Sequence, residues 1–387
     1  MTNNKDKKVL NVPNLRFPEF TGEWKKCIIG ELTIKVGSGV TPRGGETVYK
    51  SEGHPFVRSQ NVGLGHLILD DIAYIDEDTH QRQKNTELQL DDVLLNITGA
   101  SIGRSALVNQ QIVGGNVNQH VCIIRANKKL IPSFLCNFLL SQYGQKQIES
   151  FQAGGNRQGL NFEQIKSIKI GLPSVEEQKK IADLLLLIEQ RITTQNKIIE
   201  KLKSLIKGIA QHCIKELTSG NTYVKLGDIC QITTGKLDAN AQVDNGIYPF
   251  FTCAEQPFKI DSFAFDTEAL LISGNGANLG YINYYHGKFN AYQRTYVLDT
   301  FSENIQYIKW ALKVLLPKRI AIEKSSSNTP YIVLSTLSNL RLPIPNKSNQ
   351  CHIAKLMQSL ERKLSSQIAL NGFYNKLKQY LLRQMFI

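Results

Sequence analysis

Side chains that hydrogen-bond to DNA bases are concentrated where predicted strands meet turns in this chain. In the major groove, arginine pairs bidentately with guanine, and asparagine or glutamine pairs with adenine. The candidates in the first half of the chain are Arg58, Ser59, Asn61, Asn96, Thr98, Ser101, Arg104, Asn118, Gln119, His120, Asn156, Arg157 and Gln158. The candidates in the second half are Lys236, Thr252, Asn275, Asn278, Tyr281, Tyr292, Arg294, Ser326, Ser327 and Asn328. For any one of them, a solvated turn or a backbone cap is the alternative.

The charge of the chain favours an anionic partner. Forty-six lysines and arginines face thirty-three aspartates and glutamates among 387 residues, which leaves a formal charge of +13. Lysine and arginine beside base-reading side chains would bind phosphates and set the position on the duplex. Double-stranded DNA is therefore the first candidate partner, and a soluble basic protein without such a partner is the alternative.

Signatures of catalysis, metal binding and membrane insertion are absent from the sequence. It contains no GxxxxGK[ST] phosphate loop, no HExxH and no Cys/His cluster, and its seven cysteines are scattered without a CxxC pair. Residues 274–280 resemble a dinucleotide loop only superficially, and they predict a tight turn between strands. Residues 328–331 predict a loop that is matched to 156–159 in the first half of the chain. We therefore expect no cofactor or metal in this chain, no membrane segment and a cytoplasmic location.

A set of residues recurs 172 positions later in the same chain. The first copy is Asn156, Pro173, Gln178, Ile181, Ala182, Glu189 and Gln195, and the second copy is Asn328, Pro345, Gln350, Ile353, Ala354, Glu361 and Gln367. Internal repeats indicate repeated structural units. The sequence therefore predicts pseudo-symmetric architecture with two equivalent working surfaces.

Each copy continues into the apolar pattern of a coiled coil, with spacings that alternate between four and three residues. The first seam is Ile181, Leu185, Ile188, Ile192, Gln195, Ile199 and Leu202. The second seam is Ile353, Met357, Leu360, Leu364 and Gln367. A helix over 174–216 would be roughly 60 Å long. We expect the two helices to pair antiparallel; two separate amphipathic helices, each on its own domain, are the alternative.

Two details of the seams stay open at this point. The polar Gln195 and Gln367 occupy the same seam position, where they would either fix the register of the pair or lie solvated near a junction. The second seam weakens after Gln367, where Leu370, Phe373 and Leu377 offer a different apolar stripe.

The repeat extends upstream with gaps. The stretch 94–103 matches 271–280, and Asn116 and Gln119 match Asn290 and Gln293. Residues 92–98, 120–125, 269–273 and 294–298 predict strands, and 131–145 and 305–316 predict helices. The fold class is therefore α+β: two mixed α/β domains in tandem, separated and joined by two long helices in a pseudo-twofold antiparallel coiled coil. The expected boundaries are a tail at 1–22, domains at 23–172 and 218–342, and long helices at 173–217 and 343–387.

The chain resembles the specificity subunits of type I restriction-modification enzymes. The resembling features are the opening 13–20 with Trp24, the Gly30-Glu31-Leu32 start of the first domain, and the segment 172–182 with its Pro and Gln-x-x-Ile-Ala helix start. The resemblance covers nearly the whole chain. The second copy departs from it, because Asn346-Lys347-Ser348-Asn349 lacks the acidic pair, which leaves the start of the second long helix less defined.

The resemblance implies two target recognition domains, each of which reads one half of a bipartite DNA site, with the helix pair as the spacer between them. It also implies that two methyltransferase subunits dock onto this chain and that two restriction and translocase subunits complete the complex. S-adenosylmethionine, ATP and Mg would then be used by the partners. Because the loops of the two domains differ, the DNA target is expected to be asymmetric.

Two other functions compete with this one. A self-contained DNA methyltransferase or nuclease with unrecognised catalytic residues would modify DNA without partners. A structural coiled-coil scaffold would not contact DNA, so its behaviour would not follow the salt dependence of phosphate binding. Neither the recognised bases nor the spacer length follows from the sequence, since base readout depends on loop geometry and DNA shape.

Overall fold

The computed structural model describes residues 11–42, 44–152, 159–215, 222–324 and 331–387. The chain divides into two compact units. Unit 1 is Met1–Asn196 with Leu370–Ile387, and unit 2 is Lys197–Ala369. The two boundaries between the units, at 196/197 and at 369/370, each fall inside a long helix. Both units therefore contain a part of each of the two long helices.

Unit 1 is a mixed α/β unit. Its strands are β1 (Lys25–Ile28), β2 (Thr33–Ser38), β3 (His54–Val57), β4 (Ala73–Ile75), β5 (Val93–Asn96), β6 (Ser105–Leu107), β7 (Asn116–Val117), β8 (Val121–Ala126) and β9 (Lys169–Leu172). Its helices are α1 (Glu77–Arg82), α2 (Pro132–Leu140), α3 (Gln142–Ser150), α4 (Phe162–Ser167) and the first part of α5 (Val175–Lys215). The strands form sheets in the orders β2-β8-β5-β6, β4-β3-β7 and β1-β9.

Unit 2 repeats this plan. Its strands are β10 (Thr222–Lys225), β11 (Gln231–Thr234), β12 (Tyr248–Phe251), β13 (Phe258–Ile260), β14 (Phe265–Ser273), β15 (Ile282–Ala291), β16 (Thr295–Asp299) and β17 (Arg341–Ile344). Its helices are α6 (Ile305–Lys324), α7 (Leu334–Ser338) and most of α8 (Lys347–Gln384). The main sheet has the order β11-β16-β14-β15-β12-β13, and β10 pairs with β17.

Single 3-10 turns connect several of these elements. Within the described ranges they are Ile29–Leu32, Gly45–Val48, Ser59–Asn61, Lys84–Thr86, Gly99–Ser101, Leu226–Asp228 and Ala239–Ala241.

The strand pairings of the two units correspond, although their sheets differ in extent. Phe56 of β3 pairs in parallel with Asn116 of β7, and Phe250 of β12 pairs in parallel with Asn290 of β15. In unit 2 the long β15 pairs with β14 along most of its length and with β12 at its end, and so joins all six strands into one sheet. In unit 1 the segment between β6 and β7 leaves the sheet, so two smaller sheets replace one large one. The predicted strands at 92–98, 120–125, 269–273 and 294–298 are confirmed as β5, β8, β14 and β16.

The predicted helix over 131–145 is wrong in one respect, because the structure divides it into α2 and α3. Ser141 has an extended backbone, with φ −69° and ψ 161°, and its hydroxyl accepts a hydrogen bond from the backbone N–H of Gly144. Serine in this position is a helix N-cap. The hydrophobic pattern alone did not reveal the break, since both helices bury apolar residues in the same core.

Both long helices begin at matched caps. The hydroxyl of Ser174 accepts a hydrogen bond from the backbone N–H of Glu177, and the side-chain oxygen of Asn346 accepts one from the backbone N–H of Asn349. Ser174 and Asn346 are 172 positions apart, and both residue types are favoured at N-caps. The second long helix therefore has a defined start without the acidic pair of the first.

The long helices pack together as an antiparallel pair within each unit. In unit 1, Glu189 of α5 bonds to Lys378 of α8, and Asn196 further along α5 bonds to Asn371 earlier in α8. The first part of α5 and the end of α8 contribute to one apolar core, through Ile181, Leu185, Leu381, Leu382 and Met385. In unit 2 the second part of α5 and the start of α8 share another core, through Leu202, Ile206, Ile353 and Met357.

The predicted seam residues face these cores to different degrees. Ile181, Leu185, Ile192, Gln195, Ile199, Leu202, Ile353 and Met357 are buried, whereas Ile188, Leu360, Leu364 and Gln367 are half-buried. Beyond Gln367 the alternative stripe is wrong at two positions, because Leu370 is 38% exposed and Phe373 is 58% exposed. The original spacing continues instead through the half-buried Asn371 and Tyr374 to the buried Lys378 and Leu381. Beyond Gln367, polar residues therefore hold seam positions, although the sequence also offers an apolar stripe there.

Candidate nucleic-acid interface

The same turn occurs once in each unit, and both copies carry candidate DNA-binding residues. The β5–β6 turn (98–104) and the β14–β15 turn (275–281) each connect two antiparallel strands at the edge of a buried core. Glycine occupies two matched positions in each turn with a left-handed backbone, where φ is 70° at Gly99, 83° at Gly103, 78° at Gly276 and 81° at Gly280. Residues with a Cβ rarely adopt this backbone, so the turn requires glycine there. The prediction of a tight turn at 274–280 is confirmed.

The hydrogen bonds inside the two turns also correspond. The backbone N–H of Gly103 donates to the carbonyl of Asn96 (3.0 Å), and that of Gly280 donates to the carbonyl of Ser273 (2.8 Å). Ile102 donates to Gly99, and Leu279 donates to Gly276. The match between 94–103 and 271–280 therefore reflects one conserved turn geometry that carries different side chains.

A second segment lies beside each turn. The backbone N–H of Ile97 donates to the carbonyl of His120 (3.0 Å), and that of Gly274 donates to the carbonyl of Arg294 (2.8 Å). His120 and Arg294 therefore occupy equivalent positions next to equivalent turns. A third segment also lies beside each turn. The backbone N–H groups of Leu160 and Ile332 donate to the carbonyls of Ile97 and Gly274.

Six predicted residues fall in the segments that precede Leu160 and Ile332. They are Asn156, Arg157, Gln158, Ser326, Ser327 and Asn328, and they lie outside the described residues.

In unit 1 the turn presents a small polar cluster. The hydroxyl of Thr98 lies 2.6 Å from Nδ1 of His120, which fixes the orientation of the imidazole ring. The other ring nitrogen, Nε2, lies 3.5 Å from the side-chain amide nitrogen of the exposed Gln119. Arg104 is exposed and Ser101 is half-buried on the same turn. This cluster offers both donors and acceptors to a ligand at the edge of the sheet.

In unit 2 two asparagines of the turn are held by the neighbouring Cys253. The side-chain amide of Asn278 donates to the carbonyl of Cys253 (3.0 Å), and the thiol of Cys253 donates to Oδ1 of Asn275 (3.0 Å). Arg294 is exposed beside them, and Tyr281 is 37% exposed at the end of the turn. The unit 2 turn thus carries an arginine and a phenol where unit 1 carries a histidine and an arginine.

Lys236 and Tyr292 lie close to this second turn. The backbone of Leu237, next to the exposed Lys236, forms a parallel bridge with Tyr292, which is half-buried. An exposed lysine beside a base-reading turn is suited to a phosphate contact.

Four predicted residues are buried and support loops instead of facing solvent. Asn61 (1% exposed) donates to the carbonyl of Ile68, and Asn96 (0% exposed) donates to the carbonyl of Ser59. The side chains of Asn118 and Thr252 accept hydrogen bonds from the backbone N–H groups of His120 and Ala254. We therefore withdraw Asn61, Asn96, Asn118 and Thr252 as direct base contacts, because each side chain is buried and bonds to loop backbone.

Arg58 is engaged at the surface of unit 1. Its Nη2 donates to the carbonyl (2.7 Å) and to Oδ2 (3.1 Å) of Asp71, and its guanidinium lies 5.3 Å from the ring centre of Tyr49. Gln60 also donates to Oδ2 of Asp71, at 2.6 Å. The side chain of Asp71 is 78% exposed and that of Arg58 is 21% exposed, so Arg58 stays a candidate that DNA would reach by displacing a partly shielded ion pair. Ser59, between them, remains a candidate.

The repeated glutamine of the long helices has a structural role that its spacing alone did not reveal. Gln178 accepts a hydrogen bond from the backbone N–H of Ile131 (2.8 Å) and donates to the carbonyl of Lys129 (3.0 Å). Gln350 likewise accepts one from the backbone N–H of Asn304 (3.0 Å) and donates to Oε2 of Glu303 (2.6 Å). Both side chains are buried. Each glutamine therefore ties the start of a long helix to the loop that precedes α2 or α6.

One residue of the acidic pair Glu176-Glu177 is also explained by its contacts. Glu177, which is 2% exposed, accepts hydrogen bonds from Nε and Nη2 of Arg16 (2.7 Å each) and from the indole of Trp24 (3.2 Å). The matching position in the second copy is the exposed Asn349. The opening segment 13–20 and the helix start, which carry the resemblance, are thus joined by one ion pair in this chain.

The described residues contain no group of His, Cys, Asp and Glu that could hold a metal ion. Within the same ranges, no helix has the length and apolar content needed to cross a membrane. The seven cysteines, all of which are described, are free thiols.

Comparison with known proteins identifies the family. The sequence profile of the type I restriction modification DNA specificity domain matches residues 21–204 and 218–370. The chain is 41% identical over 143 residues to the type I restriction enzyme EcoDI specificity subunit of Escherichia coli, a match that covers 37% of this chain and 32% of that protein. It is 24% identical over 210 residues to the MjaVIII specificity subunit of Methanocaldococcus jannaschii, which covers 48% of this chain and 47% of that protein. The chain thus matches less than half the length of these curated relatives.

A solved structure has the same fold over nearly its full length. It is the S subunit of a type I restriction-modification system from M. genitalium, with a TM-score of 0.64 at 18% identity, and the match covers 97% of this chain and 99% of that one. Because the family profile matches most of the sequence in two successive copies, this chain belongs to the type I restriction modification DNA specificity domain family.

Proposed function

We propose that this chain is the non-catalytic DNA specificity subunit of a type I restriction-modification complex. In this function it binds double-stranded DNA and acts with methyltransferase subunits and with restriction and translocase subunits. Methylation, ATP hydrolysis and cleavage would belong to these partners, which would bind S-adenosylmethionine, ATP and Mg. The complex would work on DNA in the cytoplasm.

The observation that carries the proposal is the pair of equivalent turns with unlike side chains. The matched positions hold Thr98 and Asn275, Ser101 and Asn278, Arg104 and Tyr281, and His120 and Arg294. Equal backbone geometry would present these side chains to DNA in the same way, while their different chemistry would select different bases. Each unit would therefore read one half of an asymmetric, bipartite site.

The long helices would determine the distance between the two half-sites. Half-sites read from one face of DNA lie about one helical turn, roughly 35 Å, apart. We assign 23–172 and 218–342 to the two target recognition domains, 173–217 and 343–387 to the spacer helices, and 1–22 to an N-terminal tail. The helix pair would also dock two methyltransferase subunits, and two restriction subunits would complete the assembly.

Activity with and without partners tests this proposal against a self-contained enzyme. We expect the purified chain to leave DNA unchanged with S-adenosylmethionine or with a divalent metal, and to direct adenine methylation when the methyltransferase subunit is added. Methylation or cleavage by the chain alone would favour the self-contained enzyme.

Salt dependence tests the proposal against a scaffold without DNA contact. Each phosphate contact lowers the logarithm of the DNA affinity by about 0.9 per decade of salt. We expect a steep decrease for this chain, with its formal charge of +13. An affinity that does not change with salt would favour the scaffold.

A further inference from the structure

A short hairpin in unit 1, residues 61–68, begins two residues after the candidates Arg58 and Ser59. Ile68 donates its backbone N–H to the carbonyl of Asn61 (2.9 Å), and Gly63 donates to the carbonyl of His66 (2.9 Å). At its tip, Gly65 donates to the carbonyl of Ser105 (2.8 Å) next to the β5–β6 turn. The hairpin therefore connects two parts of the candidate DNA surface of unit 1.

The hairpin rests on a buried lysine of the long helix α8. Nζ of Lys378 donates to the carbonyl of Leu64 (3.0 Å) and to Oε2 of Glu189 (2.5 Å). Lys378 is only 9% exposed and occupies a seam position. The position 172 residues earlier is Ile206, an ordinary apolar seam residue. A buried charge is costly unless it is paired, so a lysine here is not explained by helix packing alone.

Glu189 contacts the hairpin from the other long helix. Its Oε1 lies 3.4 Å from Nδ1 of His66, and its Oε2 bonds to Lys378. Burial raises the pKa of Glu189, but hydrogen bonds from His66 and Lys378 outweigh this effect and leave the pKa below its usual value. Glu189 is therefore held as a carboxylate between the hairpin and Lys378.

The fit between the hairpin and Lys378 is close. Gly65 has φ +93°, and a Cβ at this residue would lie 3.2 Å from Nζ of Lys378 and 3.4 Å from Cδ1 of Leu140. A larger residue would have to shift these side chains or the hairpin by a few tenths of an ångström, and the left-handed backbone of Gly65 disfavours any residue with a Cβ.

Unit 2 does not use its matching glutamate in this way. Glu361, which is 172 positions after Glu189, bonds to Nζ of Lys309 (2.8 Å) and of Lys313 (3.1 Å), both on α6. The contact between a long helix and a recognition hairpin is therefore made by Glu189 in unit 1 and not by its counterpart in unit 2.

We propose that Lys378 and Glu189 are positioning residues for DNA recognition by unit 1, because they seat the hairpin that holds Arg58 and Ser59. At the start of the hairpin, the backbone N–H groups of Asn61 and Val62 donate to the carbonyls of Arg58 (2.8 Å) and Ser59 (3.3 Å). This inference rests on the proposed function, in which unit 1 reads one half-site. It adds that the helix pair does more than separate the two half-sites: it sets the reading geometry of one of them.

The test compares Lys378→Met with the matched control Lys376→Met, which removes an exposed lysine from the same helix. Each full-length variant is used to select binding sites from a random duplex library, and amide hydrogen exchange is measured over 61–68. Arg294→Ala, a change beside the turn of unit 2, identifies which selected half-site belongs to unit 2.

We expect Lys378→Met to raise hydrogen exchange in the hairpin at least tenfold and to remove base preference in the half-site of unit 1 only. The control should behave like the unchanged chain. Gly65→Ala, which leaves both helices intact, should give the same loss at the same half-site and so covers the case in which Lys378→Met does not fold.

The inference would be overturned if Lys378→Met and Gly65→Ala both left hydrogen exchange in the hairpin and the base preferences unchanged. An equal loss of base preference in both half-sites would also overturn it. If Arg294→Ala and Arg104→Ala also left every base preference intact, the proposed function would fail. In that case hydrogen exchange would still decide whether Lys378 seats the hairpin.

Discussion

Arg16 and Glu177 form a bidentate ion pair in unit 1, with two nitrogen to oxygen distances of 2.7 Å. Arg16 lies in the opening segment, and Glu177 lies in the first turn of α5. The pair joins two segments separated by 161 positions, and the indole of Trp24 adds a third donor to the same carboxylate. It therefore holds the start of the first long helix against the amino-terminal part of the chain.

Removal of Arg16 should destabilise unit 1. Arg16→Met leaves Glu177 buried without its cation, which should lower the free energy of unfolding by about 3 kcal/mol. Urea unfolding followed by Trp24 fluorescence in a Trp310→Phe background reports this unit. Lys166→Ala, which breaks the exposed pair with Glu163 in the same unit, should change the value by less than about 0.5 kcal/mol. Equal effects of the two changes would contradict the structural role of the pair.

Single arginine changes should affect one half-site each. Arg104→Ala and Arg294→Ala should each lower the affinity for the full target by about 1–3 kcal/mol and relax base preference in different halves. Binding selections from random duplex DNA measure both quantities. Arg341→Ala, an exposed arginine on β17, is the matched control. Loss of preference in the same half for both variants would contradict two separate reading surfaces.

DNA should protect Cys253 from alkylation. Its thiol lies 3.0 Å from Oδ1 of Asn275, in the unit 2 turn, and is half-buried. Burial raises the pKa of Cys122, Cys136 and Cys230 to about 12, 11 and 12, so these thiols should react slowly with iodoacetamide at pH 8.

Target DNA should therefore slow the modification of Cys253, as measured by mass spectrometry of the digested chain. The half-exposed Cys27 and Cys351, outside the candidate surfaces, are the internal controls and should react at the same rate with and without DNA. If Cys253 reacted equally fast in both samples, the unit 2 turn would not contact DNA.

The length of the helix pair should set the spacer. Four residues inserted into both long helices, after Asn196 and after Ala369, add about 6 Å of helix and should lengthen the spacer by about two base pairs. The same insertion into α5 alone is the control, since it disrupts antiparallel pairing and should abolish specific binding. An unchanged spacer in the doubly extended chain would refute the role of the helices as a spacer.

The repeat made much of the fold predictable from the sequence. Apolar spacing is a local property, so it located α5 and the strands around Val93 and Thr295. The pattern could not place Phe373 correctly, because the hydrophobicity of this residue suggests burial although it is exposed. It also could not identify the buried Lys378 as a seam residue, since Lys378 is held there by its bond with Glu189. The periodic spacing of residues in a sequence does not show which ionic partners come from distant segments.

The exposure of the candidate site residues was predictable only in part from the sequence. Arg104 and Arg294 lie exposed on or beside equivalent turns, as their matched positions suggested. Asn61 and Asn96 have the same residue type as true base readers but are buried in loop hydrogen bonds. Asparagine is suited both to reading bases and to bonding loop backbone, and only the loop conformation decides between these two roles.

The central claim is that two unlike reading surfaces in one chain recognise one split DNA site. The most direct measurement is a genome-wide map of methylated adenines in cells that express this chain with its methyltransferase subunit. The account predicts a motif with two different specified halves separated by a spacer of unspecified bases. A short continuous motif, or two identical halves, would contradict it.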